Sequence, residues 1–460
     1  MDKDFVIEYL KKINYWWDSG KINDEEKGIE RKEYINEIEN VLKLDRIICL
    51  SGIRRCGKST LMFQLIDGLI KSNIDPKRIV YAKADDLLGK IDSLHNIVNI
   101  YHEITGIDPN ANEIFFFFDE IHFMNNWHLQ LKFYIDAKFK GKFIVSGSSK
   151  TLLYKDASEG LVGRIRFINI FPLTFGEFVK FSDSSINIST NNSVSAISTE
   201  SIDEIKKFYY DIIPKKEKIL YLFGEYLKAG GFPEWFKVKD IMQWRKILVD
   251  DYLSLILFKD IVHTFKIKDP LLLEKLVNET AKFSTQRFSY VSLSNRMDVN
   301  RETIKLYLYY LSSSLLVFIS DVYSKNKKAR ERAEKKIYFW EEGMRRALTL
   351  DEDDATSVEN IVTWHLIKEG FSKKVFFESF YWKNGYEVDF VLETDILLPV
   401  EVKYRENPYE IKGMLNFMTQ FSVKKGIMVT KDILDERIFD INGKKVKILF
   451  IPAWLFLLSF

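Results

Sequence analysis

Short apolar runs alternate with helix-length amphipathic segments over the first third of the chain. Runs rich in β-branched and aromatic residues predict strands at 46–51, 78–82, 114–118 and 142–146. Strands separated by helix-length segments pair in parallel, so the pattern predicts a parallel α/β sheet. The four consecutive phenylalanines at 115–118 indicate a central strand that is buried on both faces.

The pattern changes after residue 181. Ser, Asn and Thr dominate residues 182–201 without an apolar period, which is typical of a flexible loop or linker. A mainly helical region follows, and then a helix at 357–368 with two strands at 387–392 and 398–404. The predicted segments are an N-terminal helical segment at 1–36, an α/β domain at 37–181, the linker at 182–206, a helical and winged-helix-like domain at 207–335, and an α/β domain at 336–460.

Composition narrows the class of protein. The 460 residues suffice for roughly three domains. The 68 Lys and Arg against 66 Asp and Glu, a net charge of +2, argue against a uniformly basic nucleic-acid coat protein. Two cysteines exclude a disulfide framework and a four-cysteine zinc site, which favours a reducing cytosol. The apolar run 448–460 is too short to span a membrane, so we expect a cytoplasmic protein without membrane contact and a buried strand and turn in this run.

A glycine-rich segment follows the first predicted strand and precedes an apolar helical pattern. It contains Gly52, Ile53, Arg54, Arg55, Cys56, Gly57, Lys58, Ser59 and Thr60, and it matches G-x-x-x-x-G-K-[ST]. In such a loop the backbone N–H groups surround phosphates at a helix N-terminus. We expect Lys58 to reach the terminal phosphates of ATP and the Ser59 hydroxyl to ligate Mg²⁺. Arg54 and Arg55 either contact the nucleotide or are exposed loop cations.

Two acidic residues end the phenylalanine strand. We expect Asp119 to hold Mg²⁺ through water and Glu120 to polarise the attacking water, although a surface Asp-Glu pair has the same sequence. Ser148, after the next predicted strand, either senses the γ-phosphate or belongs to a plain Gly-Ser turn.

The segments GIRRCGKST, FFFFDEIH, FIVSGSS, GLVGRIRFINIFPLTFGEF and YLKAGGFPEWF together resemble the archaeal and bacterial AAA-like P-loop ATPases that carry a C-terminal domain of unknown function. The resemblance implies an ASCE-type parallel sheet and ATP hydrolysis. It also implies that Arg164 stabilises transition-state charge, which requires a homo-oligomer if Arg164 acts on a neighbour's nucleotide. From the residues alone, Arg164 and Arg166 equally fit a solvated strand face.

The segment 290–318 predicts two helices with a turn between them and resembles a winged helix or helix-turn-helix. The second helix would bury Ile304, Leu308 and Leu311 and leave Arg301, Lys305 and Tyr309 on a face that could enter a DNA groove. The stretch 321–336, with Lys327 and Lys328, carries a local charge of +4 where a wing would lie. Winged helices also serve as connectors in ATPases, so DNA contact is one of two interpretations.

Acidic residues recur near the C-terminus. Asp389 and Glu401 lie on two predicted neighbouring strands, and Lys403 follows at the spacing D-x(11)-E-x-K. This arrangement resembles the PD-(D/E)xK nucleases, with Glu359 in place of their helical acid and Val388 in place of the Pro. The resemblance implies a restriction-endonuclease-like domain with a Mg²⁺ or Mn²⁺ held by Glu359, Asp389 and Glu401. A salt-bridged amphipathic strand pair, or a nuclease-like domain that only binds, is the alternative.

Two functions fit the sequence. The first is an ATPase whose nuclease-like domain acts on or binds DNA. The second is a nucleotide-controlled switch or scaffold, similar to STAND proteins, which binds a protein partner and does not cleave.

Overall fold

The computed structural model describes residues 2–91, 93–148, 160–186, 202–262, 265–373, 378–393, 397–408, 410–441 and 443–460, together with Leu153. The chain divides into two compact units, residues 1–170 and 171–460. Most of the predicted Ser/Asn-rich linker lies outside the described residues. Within the described part of the chain, no helix is both long and apolar enough to cross a membrane.

The first unit contains a five-stranded sheet in which every pairing is parallel. Its strands are β1 (Ile47–Ser51), β2 (Ile79–Lys83), β3 (Phe115–Asp119), β4 (Lys142–Gly147) and β5 (Ile165–Asn169). The spatial order is β2-β3-β4-β1-β5. The predicted strands are confirmed within one residue at each end, because β-branched and aromatic runs of this length are buried on both faces of a parallel sheet.

Helices cover both faces of this sheet. They are α1 (Lys3–Ile13), α2 (Trp16–Ser19), α3 (Asp24–Lys27), α4 (Lys32–Leu42), α5 (Lys58–Lys71), α6 (Leu94–Thr105) and α7 (Trp127–Asp136). Residues of α1, α6 and α7 share one apolar core with alternate residues of β1 to β4. α4 and α5 contact each other, α4 also contacts β1, and α5 also contacts β4.

The N-terminal helical segment covers the edge of the sheet at β2. The Asn14 side chain accepts a hydrogen bond from Tyr81 N (2.6 Å) and donates one to Tyr81 O (2.9 Å). The indoles of Trp16 and Trp17 donate to Ile79 O at 3.2 and 2.8 Å. These bonds satisfy backbone groups that an open edge would expose, so the two tryptophans pack against the sheet.

The second unit holds the remaining elements. Its helices are α8 (Phe175–Ser182), α9 (Ile202–Ile212), α10 (Lys216–Ala229), α11 (Trp235–Val238), α12 (Ile241–Ile247), α13 (Pro270–Lys282), α14 (Tyr290–Met297), α15 (Arg301–Ser313), α16 (Lys327–Arg332), α17 (Glu342–Thr349), α18 (Asp354–Lys373), α19 (Lys412–Phe421) and α20 (Ala453–Leu458). Two π-helical segments, Leu248–Leu253 and Leu255–Val262, lie between α12 and α13.

A nine-stranded mixed sheet runs through this unit. Its strands are β6 (Arg287–Phe288), β7 (Val317–Val322), β8 (Lys335–Phe339), β9 (Phe380–Asn384), β10 (Tyr386–Glu393), β11 (Leu397–Lys403), β12 (Lys425–Thr430), β13 (Asp435–Ile441) and β14 (Lys444–Pro452). The order is β13-β14-β12-β11-β10-β9-β7-β8-β6. The middle region thus supplies β6 and β7 to the same sheet as the C-terminal region, and the predicted boundary at 335/336 falls inside β8.

The Gly230-Gly231 turn packs on a buried carboxylate. Glu341, 1% exposed, accepts hydrogen bonds from Gly231 N (2.5 Å) and Met344 N (2.9 Å). A Cβ at Gly230 would overlap this carboxylate. Burial raises the pKa of Glu341 to about 8. The AGGFPEW segment is therefore explained by packing within the second unit.

Candidate functional site

The loop between β1 and α5 has the backbone that a phosphate-binding loop requires. Arg55 and Gly57 both have positive φ, at 64° and 100°. A Cβ at Gly52 would overlap the carbonyl oxygen of Ile170, so only glycine fits there. Arg54 is half-buried and Arg55 is exposed. The loop turns its chain into the N-terminus of α5, where backbone N–H groups and the helix dipole favour anions.

Lys58 is buried at the first position of α5. Its side chain is 5% exposed and donates to Gly52 O (2.9 Å) and Ile53 O (3.2 Å). These acceptors are neutral carbonyls of the loop itself, so the ammonium carries an uncompensated positive charge at these two bonds. A phosphate oxygen is a stronger acceptor than a carbonyl, and the charge is therefore available to an anionic ligand.

Asp119 lies beside the loop and is surrounded by neutral donors. The hydroxyls of Ser59, Ser146 and Tyr81 donate to its carboxylate, the last at 2.8 Å. Asp119 is 1% exposed, and burial with the adjacent carboxylate raises the pKa of Tyr81 well above its usual range, so this hydroxyl remains a donor. A hydroxyl and a carboxylate that meet at the C-terminal edge of a parallel sheet are oxygen ligands that suit Mg²⁺.

Glu120 has a left-handed backbone, with φ 51°. Its N–H donates to Ser146 Oγ at 3.0 Å, and its Oε2 lies 3.4 Å from His122 Nδ1. Ser148 follows β4, is 3% exposed, and its Oγ has no hydrogen-bond partner among the described residues. A buried hydroxyl in this position can accept or donate to a ligand at the same edge of the sheet.

The residues at this edge fit a nucleotide with Mg²⁺. The fit rests on the constrained loop, the buried Lys58, and the pairing of Ser59 with Asp119. Cys56 does not add reactive chemistry, because burial raises the pKa of its thiol and its Sγ lies 3.4 Å from Ile170 O. Arg31, a residue that the sequence motif does not include, donates to Cys56 O at 3.2 Å and supports the loop from the N-terminal segment.

Arg164 does not lie near the loop of its own chain. Its carbonyl accepts from Ile47 N, at the start of β1, whereas the phosphate loop follows Ser51 at the other end of that strand. A five-residue strand separates these edges by about 16 Å. Arg164 directly precedes β5, and its guanidinium pairs with Asp136 at 2.8 Å. Arg166 is an exposed residue of that strand.

The predicted helix pair of the middle region is present as α14 and α15. Asn300 Oδ1 accepts from Glu302 N at 2.8 Å and begins α15, and the turn residue Asp298 has φ 54°. The predicted apolar stripe of Ile304, Leu308 and Leu311 is buried. Arg301 and Tyr309 are exposed and Lys305 is half-buried, so all three lie on the outer side of the helix.

The stretch 321–336 exposes less positive charge than its sequence implies. Lys325, Lys327 and Lys328 are exposed, in and before α16. Lys335 and Lys336 are buried on β8, where Lys335 pairs with Asp321. The local excess of +4 overstates the charge of a wing surface, because internal ion pairs consume part of it.

The C-terminal carboxylates meet on β10 and β11. The register between β10 and β9 shifts between Val388 and Val391, an irregularity that includes Asp389 and re-aims its side chain. Asp389 Oδ2 accepts from Val402 N at 2.9 Å. Glu401, 4% exposed, pairs with Lys403 through Oε1 at 2.7 Å, and its Oε2 has no partner among the described residues.

A lysine outside the predicted motif lies among these acids. Lys336 Nζ contacts Glu359 Oε1 (3.0 Å), Glu387 Oε1 (2.6 Å) and Asp389 Oδ1 (3.2 Å). It is 3% exposed. Burial alone would lower the pKa of Lys336, but the carboxylates of Glu359, Asp389 and Glu387 outweigh it and hold the pKa well above the usual range. The ammonium is therefore charged.

The surrounding groups complete a compact ion cluster. Tyr338 OH donates to Glu359 Oε1 at 3.2 Å, and Arg287 Nε lies 3.2 Å from Glu387 Oε2. Burial, reinforced by repulsion from Asp389, raises the pKa of Glu359 and of Glu401 to about 7. We call Glu359, Glu387, Asp389 and Lys336 the lysine-acid cluster.

The predicted metal set of Glu359, Asp389 and Glu401 is not assembled. Over the described residues, no three side chains of His, Cys, Asp or Glu are placed to hold a metal ion. Glu359 and Asp389 share the Lys336 ammonium, and Glu401 is paired with Lys403. The residues present therefore do not fit a divalent metal in this arrangement.

Sequence reasoning missed the groups that come from other strands. Ser146 and Tyr81 reach Asp119 from β4 and β2, and Lys336 and Glu387 complete the lysine-acid cluster. The strand order would have indicated Ser146. β3 and β4 are parallel neighbours, and Phe118 pairs with Val145, so the next residues, Asp119 and Ser146, lie side by side. No local motif marks Lys336.

The chain is similar over most of its length to uncharacterized proteins of an archaeon and a bacterium. An uncharacterized protein of Methanocaldococcus jannaschii is 27% identical over 401 residues, which cover 85% of this chain and 80% of the relative. An uncharacterized protein of Haemophilus influenzae is 24% identical over 93% of this chain and 98% of its own length. Among solved structures, the Walker-type ATPase of Pyrococcus abyssi is 15% identical over 69% of this chain and 95% of that chain, with a TM-score of 0.42.

Three family models match successive parts of the chain. A model described as an AAA domain matches residues 44–179. Two models described as domains of unknown function match residues 220–355 (DUF8612) and 355–454 (DUF4143). The chain thus contains a P-loop ATPase-like domain, followed by two regions to which these matches attach no activity.

Proposed function

We propose that this protein binds and hydrolyses ATP with Mg²⁺, and that its second unit binds DNA. The observation that carries the first part is the cluster at Asp119, where neutral donors hold a buried carboxylate beside Ser59 and the phosphate loop. In this proposal Lys58 binds the terminal phosphates, while Ser59 and Asp119 hold Mg²⁺, which supplies charge neutralisation when bound. Glu120 orients the attacking water and accepts its proton.

ATP turnover tests this assignment. Lys58→Ala should lower turnover by about 100- to 1,000-fold, because it removes the cation that stabilises charge on the transferred phosphoryl group. Glu120→Gln should lower turnover by about 100-fold and leave ATP binding nearly unchanged, because it removes only the base. Lys71→Ala, an exposed lysine of the same helix, is the matched control. Wild-type turnover in the Lys58→Ala protein would overturn the proposal.

DNA binding is proposed for the exposed side of the winged-helix-like region. Arg301, Lys305 and Tyr309 lie on the outer side of α15, and Lys327 and Lys328 begin α16. Cations without a buried partner attract phosphates in a salt-dependent way. Lys327→Ala with Lys328→Ala should reduce the salt slope of DNA affinity by about 2, whereas the exposed Lys444→Ala should not change it. Fluorescence anisotropy over a salt series measures both, and an unchanged slope in the double variant contradicts the proposal.

The nuclease-like nature of the C-terminal region is part of the same proposal. Its support is that Glu359 and Asp389 share the Lys336 ammonium, and that Glu401 lies on β11, the strand beside β10. The contacts of Lys336 favour binding over cleavage. Incubation of single-stranded, double-stranded and branched DNA with Mg²⁺ or Mn²⁺ tests this: we expect intact DNA, and cleavage that Asp389→Ala abolishes would show a working nuclease instead.

A nucleotide-controlled switch that binds a protein partner is the second candidate. Glu302 lies between Arg301 (3.6 Å) and Lys305 (3.2 Å), and Leu306 is 46% exposed on the same helix. A face that mixes an acid, an apolar residue and paired cations suits a protein surface better than a phosphate backbone. Slow ATP turnover that DNA does not stimulate, together with a nucleotide-dependent change in assembly by light scattering, would favour this candidate.

A role of Arg164 in ATP hydrolysis would require assembly of several copies of the chain. The position of Arg164 at the sheet edge opposite the phosphate loop supports action on the nucleotide of a neighbouring copy rather than on its own. In a mixture of Arg164→Ala and Lys58→Ala proteins, such action predicts recovery of turnover, because one chain supplies an intact loop and the other an intact arginine. Absence of recovery would argue against this role.

A further inference from the structure

The cluster of Lys336 with three carboxylates stands where the acidic residues of the C-terminal region converge. Three carboxylates from α18 and β10 contact one ammonium from β8. The three Nζ to oxygen distances lie between 2.6 and 3.2 Å. The contacts with Glu359 and Asp389 are charge-assisted hydrogen bonds, and the contact with Glu387 is an ion pair.

We infer that Lys336 is a built-in cation that takes the place of a divalent metal ion in the C-terminal region. A divalent ion and this ammonium would compete for the same oxygens, Glu359 Oε1, Glu387 Oε1 and Asp389 Oδ1. The other oxygen of Asp389 is already bonded to Val402 N. A metal can enter only where the ammonium leaves, so the cluster excludes metal ions while β8 keeps its register.

Glu401 is a further carboxylate beside this cluster, and it is paired with a lysine of its own, Lys403. Glu401 is 4% exposed, and its Oε2 lacks a hydrogen-bond partner within the described ranges. Its strand neighbour is Asp389, because the β10–β11 register pairs Phe390 with Val400. The carboxylates of Asp389 and Glu401 therefore lie on neighbouring strands, and each is paired with a different lysine, Lys336 and Lys403.

Sheet pairing brings Lys336 to acids that are distant from it in the sequence. β8 pairs with β7, and β7 pairs in parallel with β9 beside the acidic strands. Lys336 on β8 pairs with Ser320 on β7. This register fixes the position of Lys336 along β8, and with it the position of the ammonium beside Asp389. Strand pairing thus positions Lys336, in the same way as it positions the acids on β10.

Manganese binding tests this inference without nucleotide or DNA. Every protein carries Asp119→Asn, so that the phosphate loop does not contribute, and free Mn²⁺ is titrated by electron paramagnetic resonance. We expect no saturable Mn²⁺ binding by the parent protein and saturable binding of one Mn²⁺ by Lys336→Met, because three oxygens are released. Lys447→Met, an exposed lysine of β14, should behave like the parent.

A second variant covers loss of folding. Lys336→Met with Glu387→Met removes one cation and one anion, so the charge balance of the cluster is unchanged and Glu359 and Asp389 remain for Mn²⁺. Saturable Mn²⁺ binding by the parent that Asp389→Asn abolishes would overturn the inference, and so would a folded Lys336→Met protein that binds no Mn²⁺. The inference concerns the acids on which the proposed nuclease-like domain rests, but Mn²⁺ binding is independent of the ATPase and DNA assays, so each can fail separately.

Discussion

Asp119 and Asp389 are both buried carboxylates on sheet strands with a lysine nearby, yet their partners differ in charge. Asp119 receives bonds from the hydroxyls of Ser59, Tyr81 and Ser146, and the nearest loop lysine, Lys58, bonds to backbone carbonyls. Asp389 receives a bond from the Lys336 ammonium, which also contacts two further acids. The same residue types thus form one site with available charge and one with neutralised charge.

This contrast has a physical consequence for ligands. Neutral hydroxyls orient a carboxylate without cancelling its charge, so a divalent cation gains the full attraction when it binds. A buried ammonium cancels that attraction. A metal ion could bind only if it displaced the ammonium from its carboxylates, which would leave the lysine charge buried without a partner. The Asp119 site of the first unit therefore retains negative charge that suits Mg²⁺ with a nucleotide. In the lysine-acid cluster of the second unit, the Lys336 ammonium already neutralises negative charge.

The largest expected effect concerns the stability of the second unit. Lys336→Met should lower the free energy of unfolding by about 3–5 kcal/mol, because it leaves Glu359, Glu387 and Asp389 buried without their cation. Lys447→Met removes an exposed pair with Glu436 and should cost about 0–1 kcal/mol. Urea denaturation followed by tryptophan fluorescence measures the difference. Equal losses of unfolding free energy in both variants would show that the buried Lys336 contributes no more to stability than the exposed Lys447.

An intermediate effect is expected at the first site. Asp119→Asn should lower ATP turnover by about 100-fold, equivalent to about 2.7 kcal/mol of activation free energy, because the proposed Mg²⁺ ligand loses its charge. Its free energy of unfolding should change by only about 1 kcal/mol, since the hydroxyl partners are neutral and can reorient. The exposed Asp45→Asn is the control for both measurements. A large loss of stability would mean that Asp119 is held by charge, as Asp389 is.

The smallest effect is a pH dependence. The pKa of Glu401 is raised to about 7 by burial and by Asp389, so the folded protein binds a proton more tightly than the unfolded chain between about pH 5 and 7. Stability is therefore highest on the acidic side of this window and falls as the pH rises, by about 1–3 kcal/mol between pH 5 and 8, with Glu359 acting in the same direction.

Glu401→Gln should reduce this fall, because the amide does not ionise. The exposed Glu406→Gln should leave it unchanged. Urea unfolding at pH 5 and pH 8 gives the comparison, and a stability that rises with pH in the wild-type protein would show that Lys403 holds Glu401 ionised throughout.

Local patterns determined much of the architecture. Apolar runs predict β1 to β4 within a residue, and Asn300 marks the start of α15, because burial on two faces and helix capping are properties of short segments. The same holds for the phosphate loop, where Gly52 and Gly57 are required by the backbone itself. The acids Asp119, Asp389 and Glu401 are likewise identified from their strands.

Only the tertiary structure decided which cation each acid meets. Lys336 is 23 residues before Glu359 and 53 before Asp389, and the pairing of β8 with β7, and of β7 with β9, brings them together. Strand order places Ser146 and Tyr81 on Asp119 in the same way, and it places Arg164 at the opposite edge. Sequence spacing carries chemistry within one loop or strand, whereas the charge of a buried site is the sum over neighbours that sheet pairing selects, and that sum is set by the fold.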